Sequence, residues 1–185
     1  MSIFTKHNEN TAPEGAATVL ESVKQRYGFI PNLAAFVAES PGTLGAILKL
    51  SEAFDQASLT AQEQQVVLLT VSALNDCSYC RTVHMALGKK ANIDDATINA
   101  IVSLQPLRDE KLNALRDFTR LLVERKGWLN EKSIQAFIDA GFTRAQVFEV
   151  VMGVALKTMT NYSNHLANAE PNKEFVEMAE SSSAT

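Results

Sequence analysis

Cysteine and histidine are scarce in this chain. Its 185 residues hold two cysteines and three histidines. With no second cysteine pair and no close histidine pair, a zinc site would lack its fourth ligand. No apolar run approaches the roughly 20 residues that span a bilayer, which argues against a membrane protein. Residues 1–10 lack the charged and apolar regions of a signal peptide, so the expected location is cytoplasmic. The net charge of −4 is spread without a basic stripe, which leaves nucleic acid an unsuitable partner. Nowhere do apolar and polar residues alternate as in a half-buried strand. What remains is 46% apolar and 21% charged, the composition of a globular domain long enough for one proper core.

Helical spacing fills most of the length, so the expected fold class is all-α. The expected domain plan is a loose arm over 1–12, one helical domain over 13–180 and a disordered tail over 181–185. Helices are expected over 13–26, about 32–37, 43–56, 96–104, 109–125 and from 143 to about 169. Another opens at Asn130–Glu131 and closes at Gly141, and a short charged helix follows Pro171. Thr60 and Glu63 fit a capping box opening a further helix whose apolar residues, Val66 to Leu74, cover most of its circumference. The opening of the segment from Phe142 echoes the one from Leu59 in pattern, though only the first half of the chain carries thiols.

The chemistry concentrates in the thirty residues from Leu59, LTAQEQQVVLLTVSALNDCSYCRTVHMALG. Cys77 and Cys80 form a C-x-x-C pair, with His84 four residues further on. These offsets fall on one helical face. A helix starting at Asp76 or Cys77 would put both thiols in its first turn, where unpaired N–H groups favour thiolate. His84, one turn from Cys80 and two from Cys77, would serve Cys80 first. If the flanking helices fold back as a hairpin about Asn75–Asp76, Gln65 and His84 reach nearly the same height.

In a reducing compartment such a cysteine pair is redox-active or metal-binding rather than a staple. The thiols and His84 could form a dithiol peroxidase or oxidoreductase, a non-enzymatic thiol sensor, or a metal scaffold. Covalent haem is excluded because Arg81, not histidine, follows the second cysteine. Tyr79 either faces the site or packs. His165 could line it but reads better as an ordinary helix residue. Trp128 reads as a core or subunit contact.

The run VSALNDCSYC followed by His84 resembles the core of AhpD-like alkylhydroperoxidases in the carboxymuconolactone decarboxylase superfamily. The likeness extends more weakly to Phe29–Asn32 with Ser40–Pro41 and to NYSNHLAN from Asn161. It implies an AhpD-like bundle in which a central antiparallel helix pair carries the C-x-x-C at a helix N-terminus. It also implies assembly as a homo-oligomer, a trimer or hexamer. By the same resemblance the protein reduces hydroperoxides without a cofactor or metal. Cys80 would attack the peroxide, Cys77 resolve the product and His84 relay protons, with a thioredoxin-like or lipoyl-linked dithiol as electron donor. The other activity of the superfamily, muconolactone decarboxylation, typically goes with loss of the cysteine pair. The family pattern places glutamate twelve residues before the first cysteine, where this chain has Gln65. The amide cannot accept a proton at working pH. The expectation is therefore weak activity, or use of another acid, and a gain in turnover from Gln65→Glu.

Overall fold

A computed structural model describes residues 3–181, so the expected tail lies outside the described residues beyond Ser181. They contain ten helices and no strand: α1 (Ala16–Tyr27), α2 (Asn32–Val37), α3 (Pro41–Asp55), α4 (Ala61–Leu74), α5 (Ser78–Lys90), α6 (Asp95–Val102), α7 (Glu110–Glu124), α8 (Glu131–Asp139), α9 (Arg144–Ala167) and α10 (Lys173–Glu180). Residues 3–12 have no helix, but they are tied down. Thr5 N–H donates to the Glu39 carboxylate and His7 N–H to the Ala35 carbonyl.

Helix starts follow side-chain chemistry. Ser40, Thr60, Asp94, Asp109, Asn130 and Thr143 each accept a backbone N–H in the first turn of the helix that follows. Two helix starts ahead of α4 differ from the sequence expectation. Proline at position 13 does not open α1, which begins after Gly15 in a left-handed conformation (φ 85°). Pro41 sits in the first turn of α3, two residues earlier than expected, because Ser40 provides the cap.

Helix α4 is the hub, packed against α5, α7 and α9. Its residues 66–73 are all buried, as a helix apolar on every side must be. Phe118, Phe137 and Phe142 stack in series beside it, with ring centroids 4.2 and 4.4 Å apart. Trp128, by contrast, is 88% exposed and outside the core.

Gly153 sets the approach of α9. A Cβ there would lie 2.8 Å from Val67 Cγ1 and 2.9 Å from the Phe54 ring. Both neighbours are fully packed, so Gly153→Ala should destabilise the fold by about 1–3 kcal/mol, read as a lower urea midpoint. The same close approach fixes the depth of Lys157, one turn along α9.

Candidate active site

Helix α4 ends in a way that determines where the thiols go. Asp76 adopts a left-handed conformation (φ 50°), with its N–H bonded to Ala73 O and the Cys77 N–H to Ser72 O. This double bond is a Schellman closure. It delivers Cys77 in extended conformation as the residue capping α5. The expectation that both cysteines occupy the first helical turn is thereby corrected. The left-handed turn at Asp76 delays the helix to Ser78, so only Cys80 is inside it.

The two sulfurs are reduced, buried and hydrogen-bonded to each other. Cys77 donates and Cys80 accepts. That bond is the chief cause that lowers the Cys80 thiol to about 6, opposed by burial and helped by the Lys157 charge and by the nearby polar groups of Asn161 and Lys157. The Cys77 thiol is pushed up, by the same bond and by burial. The dipole of α5 alone would have favoured the more N-terminal sulfur. The bond from Cys77, together with the cation and amide contributed by α9, favours Cys80.

His84 is buried, and both its ring nitrogens are engaged. Nδ1 lies 2.9 Å from Gln65 Oε1, and Nε2 lies 2.9 Å from Lys157 Nζ. The ammonium has no acceptor, so it donates to Nε2, and Nδ1–H donates to the Gln65 carbonyl. Burial first, then the neighbouring Lys157 charge, holds His84 well below the ordinary histidine range, so the ring is neutral. Asn75 Nδ2 donates to Asn161 Oδ1 at 2.9 Å, and the Asn161 Nδ2 is buried with no hydrogen-bond partner among the described residues. Glu63 belongs elsewhere. It closes the capping box with Thr60 and pairs with Lys111 at 2.7 Å.

Cys80, His84, Gln65 and Lys157 line one cavity of about 420 Å³. Its walls are mainly apolar, including Phe29, Leu44, Leu68, Leu156 and Phe175, while Arg26, Asp55 and Lys90 are exposed charged members. Tyr79 both lines the cavity and packs, its hydroxyl accepting the Leu33 N–H at 3.3 Å. Burial pushes its phenol up. His165 is exposed, stacked on Tyr162 and absent from the cavity wall. Lys157 and Asn161 were missed in the sequence because they lie some eighty residues from the thiols. The NYSNH similarity pointed at Asn161, but nothing local marked Lys157.

Residues 41–116 match the model of the carboxymuconolactone decarboxylase family. A peroxidase-related protein with an AhpD core from Ralstonia eutropha JMP134 superposes with a TM-score of 0.87 at 21% identity, over 98% of this chain and 97% of that one. The chain has an AhpD-like fold. A peroxidase-related protein from Silicibacter sp. TM1040 shares this AhpD-like fold, with a TM-score of 0.77 at 20% identity over 91% and 90% of the chains. So does the debrominase Bmp8, in a complex of its cysteine-to-alanine variant with 2,3,4-tribromopyrrole (TM-score 0.79, 14% identity, 96% of each chain). No curated protein matches the sequence. The AhpD-like fold thus hosts more than one chemistry, and the reaction must be argued from the site. No helix among the described residues is long and apolar enough to cross a membrane.

Alkylation offers a direct check on the electrostatics. Thiolate is the reactive form, so the rate of Cys80 carboxamidomethylation should rise with pH through about 6 and level off above it. A free cysteine rises near ~8.5. Peptide mapping separates it from Cys77, which should stay nearly unmodified at neutral pH.

Proposed function

We propose that this protein is a thiol-dependent hydroperoxide reductase that cycles Cys77 and Cys80 between dithiol and disulfide. The observation that carries the reading is a depressed Cys80 thiol on an apolar cavity wall, hydrogen-bonded by a second thiol behind it. A nucleophilic sulfur, a resolving sulfur and room for a small organic oxidant are what the reaction requires.

The Cys80 thiolate attacks the distal peroxide oxygen. The O–O bond breaks, Cys80 becomes a sulfenic acid, and the alkoxide that leaves takes up one proton. The Cys77 sulfur then attacks the sulfenic sulfur. A disulfide forms, and the hydroxyl leaves as water with the Cys77 proton. A dithiol donor reduces the disulfide, returning one proton to Cys77 and releasing a second as Cys80 goes back to thiolate. Two electrons pass from donor to peroxide in each turn.

The competing metal scaffold has less support. Among the described residues no three His, Cys, Asp or Glu side chains cluster as a metal site, and both nitrogens of His84 already face other partners. A non-enzymatic thiol sensor shares the first oxidation but needs no turnover. The test is consumption of cumene hydroperoxide with excess dithiothreitol. Many turnovers per chain, with loss of two thiols when the donor is withheld, support the reductase. A single stoichiometric oxidation overturns it in favour of the sensor.

A further inference from the structure

Lys157 is 3% exposed and has no carboxylate partner among the described residues. A buried ammonium requires a counter-charge. Among the described residues its charge acts on both thiols, and Cys80 is the one that shares its cavity and is lowered. The ammonium donates to the neutral Nε2 of His84. It lines the same cavity as Cys80 and His84 and lies 2.9 Å from the imidazole.

Resting on the peroxidase reading, we infer that Lys157 is a catalytic residue: it holds the Cys80 thiolate as an ion pair and gives its proton to the alkoxide leaving from the substrate. The Gln65–His84 pair then becomes a positioning device. The Gln65 carbonyl fixes the proton on Nδ1, which leaves Nε2 as the acceptor that aims the ammonium. Charge is balanced by Lys157 and Cys80 alone, so a neutral residue at position 65 suits this site. The titratable groups around the sulfur are Cys77, Tyr79 and His84 from α5 and its cap and Lys157 from α9, while α4 presents the uncharged Gln65. In the cycle, Lys157 becomes an amine as the alcohol leaves. It regains its proton when the donor's second hydrogen is released during disulfide reduction.

Two variants and two oxidants test this. Lys157→Met removes the charge at similar volume, and Lys157→Arg keeps a charge that cannot be given up as a proton. tert-Butyl hydroperoxide expels an alkoxide that needs a proton, whereas peracetic acid expels a carboxylate that does not. Relative to wild type, Lys157→Met should lower Cys80 alkylation at pH 7 by about tenfold, equivalent to a shift of about one pKa unit, and lower reduction of tert-butyl hydroperoxide further. Its loss on peracetic acid should only match the alkylation loss. Lys157→Arg should recover alkylation and peracetic acid but not tert-butyl hydroperoxide. Equal losses on both oxidants, or unchanged alkylation in Lys157→Met, overturn the proposal. A wild type inert to both oxidants overturns the peroxidase reading and the proton donation with it. An alkylation shift in that case upholds only the ion pair. Helical circular dichroism and thermal midpoints identify any variant that has merely lost its fold.

Discussion

Cys80→Ser should abolish peroxide reduction, lowering steady-state turnover by more than about a thousandfold, while Cys77→Ser should fail at a different step. The hydroxyl of a serine is far less acidic than a thiol, and the Lys157–Asn161 arrangement that favours a thiolate at position 80 cannot close that gap. With Cys77→Ser the nucleophile survives. One equivalent of peroxide should still be consumed, and the sulfenic acid at Cys80 should persist long enough for capture by dimedone, because no second sulfur is there to displace the hydroxyl. That single turnover should run at a rate near the wild-type burst at neutral pH. The serine hydroxyl can donate to the Cys80 sulfur in place of the thiol whose hydrogen bond is the first cause of the low Cys80 value. Pre-steady-state peroxide consumption with mass analysis of the dimedone adduct reads both effects. Burst oxidation in Cys80→Ser and none in Cys77→Ser would reverse the roles of the two sulfurs.

Gln65→Glu should slow peroxide reduction rather than speed it. The family pattern alone gave the opposite expectation, since a carboxylate on Nδ1 raises the basicity of a histidine relay. The structure changes the sign, because Nε2 of His84 already accepts a proton-bearing group, Lys157 Nζ, at 2.9 Å. A carboxylate at position 65 adds a second negative charge to a buried site whose cation is already matched by the thiolate. Repulsion in a medium of intermediate dielectric should raise the Cys80 thiol by an amount on the order of one pKa unit. At pH 7 the thiolate fraction falls, and alkylation and peroxide reduction should both drop several-fold. The loss should be recovered above the raised thiol value, where Cys80 is ionised again. The pH profile of alkylation in the variant separates the two signs: a profile moved to higher pH supports the lysine-based site, and faster reduction at pH 7 supports the histidine relay.

Local rules made much of the architecture legible. The capping box of Thr60 and Glu63, the all-round apolar surface of residues 66–73 and the Asn130 and Thr143 caps are written in the helices that they start. So is the closeness of Gln65 to His84, since two helices joined by a short reversal must bring residues at equal distances from the turn to the same height. The start of α5 was misjudged by one or two residues because the left-handed Asp76, a conformation that aspartate tolerates but does not announce, completes the previous helix before the next begins.

The sequence by itself therefore determined an all-helical chain with a thiol pair and a histidine in phase on one helix, because spacing, capping and apolar periodicity act between near neighbours. Only the tertiary structure decided which charged and polar groups stand beside the two sulfurs. Those are Lys157 and Asn161, brought from α9 across the groove that Gly153 keeps narrow, and Coulomb forces act through space with no regard for separation along the chain.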